Sequence, residues 1–479
     1  MEHDAIIVGS GPNGLAAGIY LAQAGLRVTI LEKHSTPGGG ARSQALTQAG
    51  FLHDVCSAVH PLAFASPFFS TLPLERYGLK WVTPPAALAH PFDDGTAALL
   101  YPSLARTAAT LGQDGLAYVK LMRYFLTHYD QLLPAILSPL KIHKHLWPLI
   151  KFGYRGIRSS KGLAASLFST DKARTWFAGF AAHSMLPLER SPTAAFGLLL
   201  ALLGHTTGWP LPVGGAQSIT HALVQCFESF GGRIVTNSPV QTWANLPTAR
   251  MTLLDVTPRQ LLRIAGHKLP LRYQKQLQRF QYGPGVFKID WALKQTIPFA
   301  APGCDQAATL HLGGNELEIA ASERAAWQGQ HAEFPFVLLV QPSRFDASRA
   351  PLGKHTAWAY CHVPHGSTTD MTETIEQQIE RFAPGFRSRI LARHTMNSQD
   401  MQTYNPNYVG GDINGGAVSL SQLFTRPLYG GSPYKTPLKN VYICSSSTPP
   451  GGGVHGMCGY YAARVALDNF KRTSTKRIV

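Results

Sequence analysis

Residues 5–32 read AIIVGSGPNGLAAGIYLAQAGLRVTILE, and this stretch decides the fold. Residues 5–8 form a short apolar run, typical of a buried parallel strand, which leads directly into a GxGxxG turn at residues 9–14. Residues 15–24 have helical character and stop at Gly25, a typical residue at a helix C-terminus. The pattern predicts the start of a Rossmann-type βαβ unit.

The residues that follow the helix show that this GxGxxG pattern is not a chance occurrence. A chain with 45 glycines in 479 residues contains a GxGxxG pattern about 0.4 times by chance. Here residues 27–31 predict a second strand, and Glu32 follows that strand at once. Rossmann domains place the carboxylate that binds the adenosine ribose about 20 residues beyond the turn, so Glu32 is the predicted ribose ligand.

Each residue of the turn has a predicted role in binding a dinucleotide. Gly9 permits the tight turn, Gly11 lets the backbone approach a pyrophosphate, and Gly14 allows the helix to pack closely on the strand. The turn, which also contains Pro12 and Asn13, ends where the helix begins, so free N–H groups and a positive dipole end face the phosphates.

A second glycine-rich turn, PGGGARS at residues 37–43, favours FAD over NAD. Its backbone donors and its fixed cation, Arg42, suit a larger and more deeply buried diphosphate ligand. The alternative is a glycine-rich hairpin with an exposed arginine. The predicted FAD contacts of this region are Glu32, Lys33, Gly38, Gly39, Arg42 and Ser43.

With these motifs, GSGPNG, Glu32 and GGxxRS, the chain resembles the flavin-containing amine oxidase and phytoene desaturase superfamily. The C-terminal part of the resemblance is VYICSSSTPPGGGVHGMCG at residues 441–459, a strand, a glycine-rich loop and the start of a helix. In the superfamily this loop brings a helix N-terminus to the pyrimidine edge of the flavin. The resemblance therefore implies flavin contacts by Ser446, Gly452, Gly453, His455 and Gly456.

Four further segments are similar to the phytoene-desaturase-like, or pyridine-nucleotide-disulfide-oxidoreductase-domain-2-like, branch. They are HDVCSAVHPLAFASPFF from His53, LPVGGAQSITHAL from Leu211, YGPGVFKIDWAL from Tyr282 and NPNYVGGDINGG from Asn405. The resemblance thus covers almost the whole chain. It departs at residues 445–448, where hydroxyl side chains replace the Gly-Asp pair whose Asp contacts the ribitol in many relatives.

The resemblance implies a two-domain α/β fold. A Rossmann-type FAD-binding domain is expected to be assembled from discontinuous segments, at residues 1–75, 210–265 and 405–479. A substrate domain with a mixed β-sheet is expected at residues 266–404, with its helical cap at residues 76–209. In such a fold the backbone near Val240 lies against the adenine.

The flavin is the only redox centre that the sequence indicates. Apart from residues 9–14 and the GGGVHG of the C-terminal loop at residues 451–456, which the resemblance assigns to the flavin, the chain has no GxGxxG pattern. No separate turn for NAD(P)H is therefore predicted, and oxygen, a quinone or another acceptor is expected to take the electrons. Residues 83–203 carry few charges, and the resemblance implies that they line an apolar tunnel for an isoprenoid or carotenoid-like substrate. His455, His60 and His183 are candidate catalytic residues, and buried structural histidines are the alternative for each.

We therefore predict an FAD-dependent oxidoreductase that takes hydride from an apolar substrate by dehydrogenation, desaturation or isomerisation. Two alternatives stay open at this point. One is a flavin amine oxidase, which an aromatic cage beside the flavin would favour. The other is a flavin-binding interaction protein with little catalysis. The fold alone does not choose among them, because this superfamily hosts many reactions.

Composition limits the partners and the compartment. The formal net charge is +16, but no nucleic-acid motif with interleaved aromatic residues accompanies it, so nucleic-acid binding is not predicted. The six cysteines include no close pair, which predicts reduced thiols, no metal site and a cytoplasmic protein. The longest apolar run, residues 194–203, is too short to span a bilayer, and no secretory signal is predicted. Residues 132–158 are a candidate peripheral membrane contact, with a solvated cap helix or a homo-oligomer interface as alternatives.

Overall fold

The computed structural model describes residues 3–139, 146–428 and 430–475. In chain order, its strands are β1 His3–Val8, β2 Val28–Leu31, β3 Ser43–Gln44, β4 His53–Asp54, β5 Trp81–Val82, β6 Ala86–Pro91, β7 Ala97–Leu100, β8 Leu211–Pro212, β9 Arg233–Val235, β10 Ala249–Leu254, β11 Gly285–Leu293, β12 Ala307–Leu312, β13 Val337–Val340, β14 His355–Val363, β15 Ile390–Met396 and β16 Val441–Ile443.

The helices are spread along the chain, and most of the cap helices lie between residues 104 and 206. In chain order, the helices are α1 Pro12–Gln23, α2 Pro61–Phe64, α3 Leu104–Thr110, α4 Gly115–Thr127, α5 Tyr129–Ile136, α6 Leu146–Gly156, α7 Ser160–Leu167, α8 Asp171–Ala182, α9 Thr193–Thr206, α10 Gln217–Ser229, α11 Pro258–Ala265, α12 Leu271–Gln278, α13 Glu316–Trp327, α14 Thr372–Phe382, α15 Ser398–Tyr404, α16 Leu420–Thr425 and α17 Met457–Thr475.

The first sheet is parallel, and its strand order is β16-β10-β1-β2-β9. The central strand, β1, is buried over residues 4–8, as expected for an apolar strand covered on both faces. One neighbour, β2, follows it closely in the chain, but the other, β10, and β16 beyond it follow β1 by more than half the sequence. The Rossmann-type sheet is therefore built from separated pieces, and the strands predicted near residues 5–8, 27–31 and 441–444 are confirmed.

Two helices begin at the same edge of this sheet. Helix α1 starts directly after the glycine-rich turn, and α17 packs on it so closely that a Cβ on Gly459 would lie 1.8 Å from the carbonyl oxygen of Asn13. Only a residue without a side chain fits between the two backbones at this point. The carboxyl edge of the sheet thus carries two helix N-termini, which are the preferred binding elements for anions.

The second sheet is mixed and has the strand order β15-β11-β14-β13-β12-β6-β7. Its pairs are antiparallel except for β6 and β12. One core cluster joins β6 and β7 to the helices α4 to α9, through side chains such as Leu88, Trp176 and Leu198. These helices form the cap. The predicted class, a Rossmann-type domain with a mixed-sheet substrate domain and a helical cap, is confirmed, whereas the division into five segments remains a prediction.

The apolar periodicity of residues 115–133 is that of one continuous helix, but the chain forms two helices there. Helix α4 ends at Thr127, and α5 starts again at Tyr129. His128 between them leaves the helical conformation, and its Nδ1 atom lies 2.8 Å from the carbonyl oxygen of Tyr124. This local hydrogen bond lets the chain turn without changing its apolar periodicity, so periodicity alone could not reveal the break.

Candidate active site

A cavity of about 500 Å³ extends from the glycine-rich turn after β1 to the face of the mixed sheet. The turn contributes residues 9–13, the end of β2 contributes residues 31–34, and the second glycine-rich turn contributes residues 39–42. At its other end the cavity is bounded by β12, β13 and β14 and by Gly453 and Val454 of the C-terminal loop. One continuous space therefore connects the dinucleotide turn to the second domain.

The first turn is held by backbone contacts that only glycine permits. Gly9 has a φ of +95°, and a Cβ on Gly14 would lie 2.0 Å from the carbonyl oxygen of Gly9. A Cβ on Gly39, in the second turn, would lie 2.9 Å from the Cα atom of Gly11. The two turns thus pack backbone against backbone at the cavity wall.

Glu32 is buried and held by four hydrogen bonds. Its Oε2 accepts from the backbone N and the Oγ of Ser10, at 3.0 and 2.5 Å. Its Oε1 accepts from the backbone N of His34 at 2.9 Å and from Nη2 of Arg42 at 3.2 Å. Arg42 is only 2% exposed, so the alternative of a hairpin with an exposed arginine is wrong. The two side chains form a fixed, charge-balanced wall of the cavity.

The structure brings most of the predicted contacts to this cavity. The predicted residues that line it are Gly9, Gly11, Pro12, Asn13, Glu32, Lys33, Gly39, Arg42, Val240, Ser446 and Gly453, together with the candidate catalytic residues His60 and His183. The others, which lie behind the wall, are Gly14, Gly38, Ser43, Gly452, His455 and Gly456. Their assignment to a particular ligand stays a prediction.

Some of the residues behind the wall have visible structural roles. The Oγ of Ser43 donates to Oδ1 of Asp54 at 2.7 Å, while Arg349, which is fully buried, donates to Oδ2 of the same carboxylate at 2.8 Å. Arg349 also donates to Asp346 at 2.7 Å. This buried network ties the second glycine-rich turn to the chain that precedes β14, and so joins the two domains beside the cavity.

His455 stabilises the start of α17. Its Nδ1 accepts a hydrogen bond from the backbone N of Met457 at 3.0 Å, and its carbonyl oxygen accepts one from the Oγ of Ser66 at 2.6 Å. Burial lowers the pKa of His455 to about 4, so the ring is neutral at physiological pH. The geometry assigns it a helix-capping role and gives its ring no contact with the cavity.

His60 and His183 lie in the half of the cavity next to the mixed sheet. Burial lowers the pKa of His60 to about 4 and that of His183 to about 3. Nε2 of His183 shares a hydrogen bond of 2.9 Å with Nε2 of His311 on β12. Both rings that face the cavity are therefore neutral imidazoles, able to donate or accept one hydrogen bond without adding charge.

The sheet wall has one cation, Lys288, which sequence reasoning missed. The side chain is 2% exposed and its Nζ donates to Oδ2 of Asp290. The carboxylate also lies 3.7 Å from Nδ1 of His53 and 3.6 Å from Nδ1 of His394. Burial alone would raise the pKa of Asp290, but Lys288 and the histidines outweigh burial and lower it. The sequence did offer a signal for this pair, namely a Lys and an Asp two residues apart within an otherwise apolar strand, β11, which is fully buried.

Asp255 is the second site residue that sequence reasoning missed. It follows β10 directly, lines the cavity, and its Oδ2 accepts a hydrogen bond from the backbone N of Gly14 at 3.0 Å. Burial raises the pKa of Asp255 to about 7, and Glu32 adds to the shift while the Gly14 hydrogen bond opposes it. The sequence signal was an acid at the end of an apolar strand. It could be recognised as a site residue only with the knowledge that β10 pairs with β1, which brings Asp255 to the glycine-rich turn.

Comparison with known proteins agrees with this architecture. Residues 7–68 match the model of the NAD(P)-binding Rossmann-like domain. Over 98% of its length the chain is 24% identical to pyridine nucleotide-disulfide oxidoreductase domain-containing protein 2 of Rattus norvegicus, of which 94% is covered. It is also 24% identical to the lycopene-forming phytoene desaturase of Pantoea ananas, with 96% of this chain and 98% of that one covered.

A solved structure extends the similarity to the whole fold. Putrescine oxidase bound to putrescine superposes with a TM-score of 0.62 at 17% identity, covering 98% of this chain and 99% of the other. At this identity the superposition establishes the fold alone. The resemblance to phytoene-desaturase-like and domain-2-like oxidoreductases is confirmed, because homologues with those names match nearly the full chain.

The buried Lys288–Asp290 pair can be tested by unfolding in urea. Lys288→Met should lower the free energy of unfolding by roughly 3–5 kcal/mol, because it leaves the Asp290 carboxylate buried without its cation. The double change Lys288→Met with Asp290→Leu should recover most of that loss. As a control, Lys172→Met removes an exposed partner of Asp94 and should cost less than about 1 kcal/mol. Equal costs for the two single variants would contradict the assignment.

Proposed function

We propose that this chain, a homologue of phytoene desaturases, binds FAD and oxidises an apolar substrate by transfer of hydride to the flavin. The observation that carries the proposal is the single cavity that joins the dinucleotide turn to a largely apolar sheet wall. Bound FAD would supply the hydride acceptor, and the protein would supply the alignment of the donor with it.

The residues present at the first end fit an extended dinucleotide. The turn at residues 9–14 lies at the start of α1, and the fixed carboxylate of Glu32 would exchange one of its present hydrogen bonds, such as that from the Ser10 Oγ, for one from a ribose hydroxyl. Val240 lines the cavity where the adenine is expected, and Ser446 and Gly453 line it at the flavin end. Ser446 belongs to residues 445–448, where the resemblance has hydroxyl side chains in place of a Gly-Asp pair, so a neutral hydroxyl of this segment would contact the ribitol in this chain.

The residues at the other end fit an apolar substrate. Leu62, Met185, Leu200, Leu338 and Val340 line this part of the cavity. Apolar walls exclude water, which protects a hydride in transit from competing reactions. Lys288 and the neutral His60 and His183 are the polar groups beside them, and they would position the substrate and hold protons near the reacting carbon. Oxygen or a quinone is the proposed final electron acceptor.

A flavin amine oxidase is the second candidate, and the charges of the cavity disfavour it. The acidic residues among the described lining residues are Glu32 and Asp255, both at the dinucleotide end, so neither would receive a substrate ammonium. The aromatic pair of the sheet wall, Trp358 and Tyr360, stacks at an interplanar angle of 13° instead of facing across the cavity as a cage would. Lys288 lies 5.7 Å from the Trp358 ring and would repel a cationic amine.

An absorption spectrum of the purified protein tests cofactor binding. We expect oxidised flavin bands near roughly 375 and 450 nm, and FAD in the supernatant after heat release. Glu32→Ala removes the ribose acceptor and Gly11→Val fills the approach to the pyrophosphate, so each should lower FAD occupancy by at least about tenfold. Glu333→Ala, a change at an exposed acid, is the control and should leave occupancy unchanged. Full occupancy in both site variants would contradict the proposed site.

Anaerobic reduction by candidate donors tests the reaction. Phytoene in detergent micelles, or another apolar isoprenoid, should bleach the flavin band, whereas putrescine and monoamines should leave it oxidised. Lys288→Met, checked for folding by circular dichroism, should slow bleaching by about 10²-fold if Lys288 positions the donor. Reduction of the flavin by amines, followed by release of peroxide once oxygen is admitted, would favour the amine oxidase. No reduction by any donor, with FAD bound, would favour a flavin-binding interaction protein.

A peripheral membrane contact is proposed for the outer face of α6. Trp147, Ile150 and Tyr154 are 63%, 51% and 77% exposed, while Phe152 on the opposite face is buried. Lys151 lies beside this apolar face, with its Nζ 4.0 Å from the ring centroid of Tyr124. Exposed aromatic residues next to basic ones suit the headgroup region of an anionic bilayer. Residues 140–145 of the segment lie outside the described residues, and within the described residues no helix is long and apolar enough to cross a membrane.

Sedimentation with phosphatidylglycerol-containing vesicles tests this contact. The wild-type protein should co-sediment, and Trp147→Glu with Ile150→Glu should weaken binding at least about tenfold by removing the inserted apolar groups. Leu271→Glu changes an equally exposed apolar residue on α12 and should leave binding unchanged. Equal binding by all three proteins, or none by the wild type, would exclude a membrane contact through α6.

A further inference from the structure

Asp255 occupies an unusual position for an acid. It leaves β10 at the carboxyl edge of the parallel sheet, next to β1, and its side chain reaches under the glycine-rich turn. Its Oδ2 takes the hydrogen bond of the Gly14 N–H and would lie 3.1 Å from a Cβ on Gly11. The carboxyl group therefore sits inside the turn that the proposed function assigns to the pyrophosphate, and it lines the same cavity.

Within the described residues no cationic side chain pairs with Asp255, and its negative charge is stabilised only by the N-terminal end of α1 through the Gly14 N–H. Glu32, at the end of β2, acts on it through its own negative charge. Cys444, after β16, and Cys458, on α17, also lie close enough to interact. Burial raises the pKa of both thiols, to about 12 for Cys458, so they are neutral. The Gly14 N–H is the donor that stabilises the ionised carboxylate.

A diphosphate bound in this turn would add further negative charge. Like charges within one site favour the protonated form of a carboxyl group, and a protonated carboxyl could donate a hydrogen bond to a phosphate oxygen while it still accepts from Gly14. Without a ligand, burial places the pKa of Asp255 near 7, so the group is partly ionised at neutral pH. An added anion would raise that pKa further.

We propose that Asp255 takes up a proton when the dinucleotide binds, so that the cofactor affinity of this chain falls as the pH rises. This inference rests on the proposed function, because it requires a dinucleotide in the cavity. The sign follows from linkage: affinity is highest where the free protein is already protonated, and it falls as the pH passes the pKa of the free carboxyl. The fall is at most tenfold per pH unit for one proton, and it ends at the pKa of the complex.

Two buried histidines of the cavity do not titrate in this pH window. Burial lowers the pKa of His60 to about 4 and that of His183 to about 3, so both are neutral where Asp255 titrates. Burial also lowers the pKa of His34, which favours its neutral form, and the Asp255→Asn variant separates any contribution of His34 from that of the carboxyl group. A pH-dependent affinity between about pH 6 and pH 9 would thus report on the carboxyl group.

The test uses apoprotein of the full chain and free FAD. The Kd for FAD should be measured by fluorescence between about pH 6 and pH 9 for the wild type, Asp255→Asn and Asp4→Asn. Asp255→Asn keeps an acceptor for Gly14 and removes the titration, so its Kd should be independent of pH and at least about tenfold lower than that of the wild type at high pH. Asp4, at the opposite edge of the same sheet, is the control, and its variant should follow the wild-type curve.

Calorimetry of FAD binding in buffers of different ionisation enthalpy measures the number of protons taken up directly, and the wild type alone is sufficient to detect them. We expect uptake of up to one proton per FAD near pH 8, and none for Asp255→Asn. A flat wild-type curve without proton uptake, or an unchanged slope in Asp255→Asn, would overturn the inference and leave the proposed function standing. Failure of every variant to bind FAD at any pH would instead contradict the proposed function.

Discussion

The close approach of three backbone segments at the start of α1 is the constraint on which the rest of the structure depends. Gly14 packs against the carbonyl of Gly9, Gly39 against Gly11, and Gly459 against the carbonyl of Asn13. A side chain at any of these glycines would separate the segments. Because they meet without side chains, both helix N-termini and two sets of backbone N–H groups converge on one edge of the parallel sheet.

This packing requires that nearby charges be balanced within the protein. Glu32 is paired with Arg42, Asp54 and Asp346 with Arg349, and Asp290 with Lys288. Each pair is buried; Lys288 and Asp290 are close neighbours on one strand, whereas Arg349 joins Asp54 to a segment 295 residues further along the chain. Buried pairs of this kind contribute little net stability, but losing one partner is costly, so they fix the relative positions of the segments that they connect. Asp255 differs, because its partner is a backbone N–H.

The chemical properties of the cavity wall result from the contact between the two domains. The parallel sheet supplies donors and fixed charges for an anionic ligand, and the mixed sheet supplies an apolar face with one cation. Cross-strand pairing sets this face, since Thr309, Val340 and Trp358 lie opposite one another on β12, β13 and β14. Neither domain alone encloses a space in which a dinucleotide and an apolar molecule could meet.

The sequence by itself determined the Rossmann-type turn, the role of the early strands and helix, and most of the cavity wall near Glu32, because these features depend on local spacing and on residues close in the chain. It also indicated the C-terminal loop through resemblance. Only the tertiary structure decided that His455 caps a helix, that Lys288 and Asp255 face the cavity, and that Arg349 joins the domains. Arg349 and Asp255 have partners more than a hundred residues away, and the exposure of Lys288 to the cavity depends on strand order, so no local pattern encodes these roles.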